Sequence, residues 1–399
     1  MSNASFYSKL NKDQKYILIC CFFVFAVNGL YAMILGSLLP LISNEYNLNN
    51  TVSGGLISAH QAGNLIAGFI AGILPVYLGR KRAIIFLCSF VVMGFFIMMI
   101  TGNPVLLLLG FLFTGLSRGS ISNFNNTLVN EVSNSSPAAL SFLHSIFAVG
   151  ALLAPFLVIL STNIGGNKGW RIATGVIILL AIISMLLFSQ MNIDDEAKKK
   201  QKALSYVFLK DKYFWVGTSI LFFYLCTEAA ITGWLVKYFV DSQIMTTQYA
   251  QMLNSLLWVV ILAGRLTTTF IGDRISKELI LVSTSIGTVV FYTLLLSTQN
   301  LGLITFAIMG LGFSMAGIYP TTVATVGNTI KVYPMAMGVL LMLGGVGAIA
   351  MPIITGALSD YFGILAGMSA IVVAIALMIL FVIINIVHKR NSLQRGSSV

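Results

Sequence analysis

The chain has 399 residues, of which 57% are hydrophobic and only 9% are charged, and its mean hydropathy is +0.93. This composition excludes an ordinary soluble protein, because a soluble chain of this length needs a charged, hydrated surface. The formal net charge of +11 would suit a nucleic-acid-binding protein. The basic residues, however, lie in short loops beside apolar runs, which is typical of membrane topology. We therefore expect an integral membrane protein that contacts lipid and has no nucleic-acid partner.

Twelve apolar segments are each long enough to cross a bilayer, which takes about 20 residues. Backbone polar groups must be satisfied internally in lipid, so each segment is predicted to be a helix. In chain order, spans 1 to 12 are Tyr16–Ile42, Val52–Leu74, Ala83–Ile100, Val105–Val129, Ala138–Leu160, Ile172–Ser189, Phe214–Val240, Tyr249–Ile271, Leu279–Ser297, Leu301–Val326, Met335–Leu358 and Ile364–Val387.

The loop charges predict the orientation. With the N-terminus inside, 18 basic residues fall in cytoplasmic segments, and only Lys168, Arg171 and Lys237 fall on the opposite side. Basic residues favour the cytoplasmic face. We therefore expect a multi-pass protein of the cell membrane with both termini in the cytoplasm.

The longest polar stretch separates two halves of six spans each. We predict an N-terminal half at residues 1–191, a cytoplasmic linker at 192–212 and a C-terminal half at 213–399. The halves resemble each other: Val149–Pro155 and Val346–Pro352 lie 197 positions apart and share four of seven residues. Parallel six-helix repeats predict a solute cavity between the halves and alternating access to it.

The loop after span 2 reads G-I-L-P-V-Y-L-G-R-K at residues 72–81. It resembles the G-x-L-x-D-R-x-G-R-K loop of the major facilitator superfamily, which in that family locks the two halves on the cytoplasmic side. Val76 and Tyr77 replace the acidic and basic pair of the motif, whereas the loop after span 8 keeps that pair as Asp273 and Arg274. This resemblance covers the whole chain. It implies an all-α membrane fold of twelve transmembrane helices in two pseudo-symmetric six-helix halves.

The same resemblance implies a cytoplasmic gate. Glu131, at the end of span 4, is expected to face Arg80 or Arg82, and Arg265 is assigned to the gate because it lies near Asp273. The predicted gate residues are Glu131, Arg80, Arg82, Arg265, Asp273 and Arg274.

Several short segments are similar to the fucose–proton symporter branch of the superfamily. They lie at residues 142–155, 224–234, 258–265 and 318–321. Drug–proton antiporters usually carry a Gly-Pro pair on the fifth helix, but here Ala154 precedes Pro155. The resemblance therefore implies a carrier of sugars rather than a drug exporter.

Five ionisable residues stand out inside the spans, where such groups are costly and usually functional. Arg118 and Glu228 are about halfway along their spans, His60 is in an outer part, and His144 and Arg265 are in inner parts. A carboxylate in an apolar cavity can load and release a proton near neutral pH, so Glu228 is the first proton-coupling candidate. His144 and His60 follow, because imidazole titrates in the same range. The structural alternatives are an ion pair for Glu228 and a neutral histidine bonded to a backbone carbonyl.

Arg118 keeps its proton, so it needs a negative partner inside the membrane. The sequence offers Glu228 or a carboxylate on the solute, and both alternatives stay open. Neutral polar and aromatic residues lie at similar depth. Together they suit a sugar-like ring, although each one alone is more often helix–helix packing. The predicted solute-binding set consists of Arg118 with Asn28, Tyr31, Gln61, Asn64, Asn123, Asn126, Tyr224, Trp234, Asn254, Trp258 and Tyr319.

These features predict a secondary active transporter that moves a small polar solute, a sugar or a sugar-like organic acid, by alternating access. We expect proton-coupled symport by a monomer, with sodium as the alternative coupling ion. A proton-driven exporter of amphipathic or aromatic compounds is the second hypothesis. The four cysteines show no disulfide or metal spacing, and no nucleophile triad or phosphate loop occurs. Neither an enzyme nor a cofactor is predicted.

Overall fold

The computed structural model of the chain describes residues 10–133, 137–193, 207–271, 274–333 and 335–396. Twelve helices within these ranges are long and apolar enough to cross a membrane, as the sequence predicts. The helices are α1 (Lys12–Tyr46), α2 (Asn50–Leu78), α3 (Arg80–Ile100), α4 (Pro104–Val132), α5 (Pro137–Gly165), α6 (Trp170–Gln190), α7 (Lys212–Asp241), α8 (Thr247–Ile271), α9 (Lys277–Ser297), α10 (Leu301–Ala316), α11 (Ile318–Thr325), α12 (Gly327–Val332), α13 (Met335–Phe362) and α14 (Ile364–Gly396). Short 3-10 helices lie at Gly166–Lys168 and Val207–Lys210.

Polar residues at the helix starts explain several boundaries. Asn11 and Gln14 form a capping box at the start of α1. Asn103, the residue before Pro104, accepts hydrogen bonds through its side chain from two backbone amides in the first turn of α4. Asp211 caps α7 by accepting from the Tyr213 amide at 2.9 Å. Each cap satisfies amides that have no partner within the helix.

The tenth span is interrupted. The prediction treats residues 301–326 as one helix, but the structure ends α10 at Ala316 and starts α11 at Ile318. The break lies at Gly317 and positions Tyr319 in the first turn of α11.

The described residues fall into two compact units. The first comprises the described residues within 1–48 and 59–199, and the second comprises those within 49–58 and 200–399. In unit 1, α1 packs on α5 and α4, while α3 packs on α4 and α6. In unit 2, α7 packs on α13 and α14, while α10 packs on α8 and α9.

In each unit, a glycine lets two helix backbones approach closely at an equivalent contact. A Cβ on Gly150 of α5 would collide with the Ala26 carbonyl of α1, and a Cβ on Gly347 of α13 would collide with the Phe222 carbonyl of α7. These glycines are equivalent in the repeat at residues 149–155 and 346–352. Small residues let helix backbones approach closely in a membrane, so the sequence repeat corresponds to a repeated packing geometry.

Unit 2 differs from the predicted C-terminal half because it includes the start of α2. The Asp360 carboxylate of α13 accepts from the backbone amides of Asn50 at 2.8 Å and Thr51 at 2.7 Å. Ile57 packs on Gly233 of α7, and Gly54 lies against the Pro352 carbonyl of α13. These contacts explain why residues 49–58 group with unit 2.

Candidate functional site

Arg118 lies at the middle of α4 in unit 1, and its guanidinium contacts a histidine side chain. Arg118 Nη1 lies 3.3 Å from His60 Nε2, and His60 Nδ1 lies 2.9 Å from Thr114 Oγ1. The Thr114 hydroxyl donates in turn to the Phe111 carbonyl at 2.7 Å. His60 and Thr114 are both buried, whereas Arg118 is partly exposed. The structure therefore links two residues that the sequence analysis treated separately.

Close contact between the α2 and α4 backbones makes this arrangement possible. A Cβ at Gly115 would collide with the His60 carbonyl oxygen, and one at Gly63 would collide with the Leu112 carbonyl oxygen. A Cβ at Gly119 would lie 2.5 Å from the Asn64 carbonyl oxygen. Glycine at these positions brings the His60 ring within hydrogen-bonding distance of α4.

Two of the predicted solute-binding residues on α1 also contact α4. Asn28 Nδ2 donates to the Arg118 carbonyl at 3.4 Å, and Tyr31 OH lies 3.5 Å from Ser117 Oγ. Both side chains are buried. They join α1 to α4 at Arg118 and at the preceding residue, Ser117.

The remaining predicted solute-binding residues of unit 1, and His144, are partly or fully exposed. Gln61 and Asn64 of α2 are partly exposed, and Asn123 of α4 is exposed. Asn126 Nδ2 donates within its own helix to the Ser122 carbonyl at 2.7 Å. His144 of α5 is exposed, and its ring lies edge-on to Phe25 at 5.5 Å.

Unit 2 has its own polar cluster around Glu228, near the middle of α7. Glu228 Oε1 accepts from the Tyr224 hydroxyl at 3.0 Å and lies 3.9 Å from Arg265 Nη2 of α8. The Tyr319 ring lies 6.4 Å from the Tyr224 ring. The sequence analysis assigned Arg265 to the gate, but the structure places it against the carboxylate that was predicted to carry the proton.

The other polar and aromatic residues predicted in unit 2 are buried. Trp234 is fully buried, and its indole Nε1 donates to the Pro352 carbonyl of α13 at 3.2 Å. Asn254 and Trp258 lie on α8, one turn apart. In this structure Trp234 joins α7 to α13, which is a packing contact.

One predicted gate pair is present. Arg80 Nη2 at the start of α3 lies 2.9 Å from Glu131 Oε2 near the end of α4. Arg82 and Arg274 are exposed, and Asp273 lies outside the described residues. The role of these residues as a gate remains a prediction.

Comparison with known proteins identifies the family. The sequence profile described as Major Facilitator Superfamily matches residues 21–330, which is more than three quarters of the chain.

The chain belongs to the major facilitator superfamily.

It is therefore a multi-pass membrane transporter and not an enzyme. Its relatives include the sialic acid transporter NanX of Escherichia coli K12, which is 23% identical over 95% of this chain and 95% of its own length. They also include a TsgA homolog of Erwinia tasmaniensis, 22% identical over 90% of this chain and 92% of its own length.

Solved structures of the superfamily share the fold. The nucleoside transporter NupG has a TM-score of 0.76 at 14% identity and covers 94% of this chain and 99% of its own. A D-xylose–proton symporter has a TM-score of 0.72 at 12% identity and covers 93% of this chain and 96% of its own. These similarities support the twelve-helix fold of this facilitator.

Sequence reasoning missed Asp360, although a signal for it exists. Residues 356–363 read G-A-L-S-D-Y-F-G, which has the G-x-L-x-D-x-x-G spacing of the superfamily loop. The last glycine of this spacing has a positive φ in both stretches, 79° at Gly79 and 86° at Gly363. The position that is Val76 in the 72–81 loop is therefore Asp360 in this stretch at the end of α13, in addition to the counterpart loop after span 8.

Proposed function

We propose that this facilitator moves a small polar solute, a sugar or a sugar-like organic acid, across the cell membrane by alternating access and proton symport. NanX, which resembles the chain over nearly its whole length, is named for sialic acid, an acidic sugar. The fold is shared with a D-xylose–proton symporter. These likenesses support the solute class and the coupling ion of the proposal.

The observation that carries proton coupling is the environment of Glu228. Its carboxylate has a close hydrogen bond from Tyr224 and a looser ion pair with Arg265 at 3.9 Å. The Glu228 side chain is 19% exposed and the Arg265 side chain 47% exposed, so neither group is fully buried. Protonation of Glu228 would remove the charge that attracts Arg265, which would link proton binding to the position of this guanidinium.

Arg118 provides the solute-binding cation of unit 1. Its guanidinium is held at one nitrogen by His60, and its other N–H groups have the planar arrangement that suits a carboxylate or a pair of hydroxyls. Of the two partners that the sequence offers for Arg118, we propose the carboxylate of the solute, because a guanidinium matches a carboxylate with two parallel hydrogen bonds.

The variant Glu228→Gln tests the proposal. Glutamine keeps an oxygen for Tyr224 but carries no charge and exchanges no proton. In proteoliposomes with an acidic exterior, we expect wild-type protein to accumulate sialic acid and the variant to lose accumulation while it retains counterflow exchange.

A matched control is Glu278→Gln, since Glu278 forms a comparable ion pair with Lys389 at 2.7 Å, remote in sequence from both clusters. This control should keep gradient-driven accumulation. Accumulation by Glu228→Gln against a gradient would exclude Glu228 as the proton carrier and make His144 the next residue to test. If purified wild-type protein is stabilised by aromatic amines and not by sugars or acids, the exporter hypothesis replaces this one.

A further inference from the structure

The hydrogen bonds around His60 fix the position of its proton. A hydroxyl group donates one hydrogen bond, and the Thr114 hydroxyl donates its hydrogen to the Phe111 carbonyl at 2.7 Å. Thr114 Oγ1 must therefore accept from His60 Nδ1, which lies 2.9 Å away. This contact requires a hydrogen on Nδ1.

The other ring nitrogen then faces Arg118 as an acceptor. Neutral imidazole carries one N–H, so Nε2 has a lone pair when Nδ1 is protonated. A guanidinium can only donate, and Arg118 Nη1 lies 3.3 Å from Nε2. A second proton on His60 would remove this acceptor and place two cations side by side.

We propose that Thr114 and His60 are positioning residues that orient the Arg118 guanidinium towards the solute, with His60 held as the neutral Nδ1–H tautomer. The proposal rests on the proposed solute-binding role of Arg118. It gives His60 a fixed protonation state and therefore a different task from the proton coupling that the sequence predicted for it. The close approach of α2 and α4 at Gly115 holds the ring in place, because the His60 backbone rests against that glycine.

The tautomer can be measured without any solute. The chain has only three histidines, His60, His144 and His388, so protein labelled with 15N-histidine gives a small set of ring signals that a His60→Gln sample assigns. At neutral pH we expect the His60 signals to show a protonated Nδ1 and an unprotonated Nε2. An Nε2–H tautomer or a doubly protonated ring at neutral pH would refute the proposal.

Thr114→Val and Thr114→Ser test the link to Arg118. Valine preserves the shape of threonine but removes the hydroxyl, whereas serine keeps it. With sialic acid as the probe, we expect Thr114→Val to raise KM about tenfold with little change in kcat, a loss on the scale of one hydrogen bond. Thr114→Ser should restore the wild-type KM and the wild-type 15N signals.

The two measurements separate this proposal from the proposed function. If wild-type protein neither binds nor moves sialic acid, the proposed solute class fails, and the tautomer still decides the role of His60. If Thr114→Val loses kcat and folded yield but keeps KM, Thr114 has only a structural role and the positioning proposal is wrong.

Discussion

The proposed role of Arg118 is to bind an acidic solute. Its guanidinium is planar and permanently charged, and its Nη1 lies 3.3 Å from His60 Nε2. Within unit 2, Glu228 accepts from Tyr224 and lies 3.9 Å from Arg265. A carboxylate on the solute would gain two parallel hydrogen bonds from such a group.

Arg118→Lys should therefore weaken the binding of sialic acid. Lysine keeps the positive charge but cannot form two parallel bonds, so we expect a loss of roughly 1.5–3 kcal/mol, the scale of a charged hydrogen bond. Binding titration with sialic acid and with its methyl ester, which lacks the carboxylate charge, measures the effect. The loss should be confined to the acid, and wild-type protein that binds acid and ester equally would contradict the carboxylate clamp.

At the residue scale, the sequence locates charged side chains within the spans but does not give their partners. A charged residue in an apolar span is visible in the sequence, as Arg118, Glu228 and Arg265 are. Their partners depend on which helices are neighbours and how they are rotated. His60 lies 58 positions from Arg118, and only the glycine contacts between α2 and α4 bring the two together.

At the element scale, the first turn of α2 is capped by hydrogen bonds to side chains, including one from a distant helix. Three consecutive amides have side-chain acceptors: Asn50 and Thr51 donate to Asp360, and Val52 donates to Asn49 Oδ1 at 2.8 Å. The Thr51 hydroxyl also donates to Asp360 at 2.5 Å. A carboxylate at a helix N-terminus both satisfies these amides and opposes the positive end of the helix dipole.

Asp360→Asn should loosen the start of α2. Asparagine has one acceptor oxygen, so one of the two backbone amides loses its partner, and the negative charge at the helix start is lost. We expect hydrogen exchange at Asn50 and Thr51 to accelerate and the free energy of unfolding to fall by about 1 kcal/mol, the usual value of a helix cap.

The control for this effect is Asp241→Asn. The Asp241 carboxylate binds Lys237 Nζ at 2.5 Å and caps no helix, so its loss should leave exchange at Asn50 and Thr51 unchanged. Unchanged exchange in Asp360→Asn as well would mean that Asp360 contributes nothing to the start of α2.

The spans were predictable because bilayer thickness sets their length and because each one satisfies its own backbone. The break at Gly317 was not predictable from the sequence, since the residues on both sides of it are apolar and continue the hydrophobic run. The capping role of Asp360 could have been inferred from the G-x-L-x-D-x-x-G spacing at residues 356–363. The partner of Asp360 could not have been inferred from the sequence, because Asn50 lies 310 positions away.

At the scale of the whole molecule, the two units repeat one packing scheme but carry different chemistry. Glycine contacts join α1 to α5 and α7 to α13 in equivalent places. In unit 1, Asn28 of α1 donates to the Arg118 backbone carbonyl, whereas in unit 2 the Glu228 carboxylate of α7 lies 3.9 Å from Arg265. The repeat thus preserves the helix contacts while the polar clusters of the two units differ.

The predicted orientation of the chain in the membrane can be tested by cysteine labelling. Eighteen basic residues on one side against three on the other predict that both termini and the 192–212 linker are cytoplasmic. The four native cysteines are all buried, so a membrane-impermeant maleimide should report on an introduced cysteine with little background.

We expect Lys168→Cys, in the exposed 3-10 helix between α5 and α6, to be labelled in intact cells. Lys200→Cys, in the linker, should be labelled only after the membrane is permeabilised. Both variants replace one lysine in a polar connection, so each serves as the control for the other. Labelling of Lys200→Cys in intact cells, together with protection of Lys168→Cys, would reverse the topology. The Arg80–Glu131 pair, at the predicted cytoplasmic ends of α3 and α4, would then face the exterior.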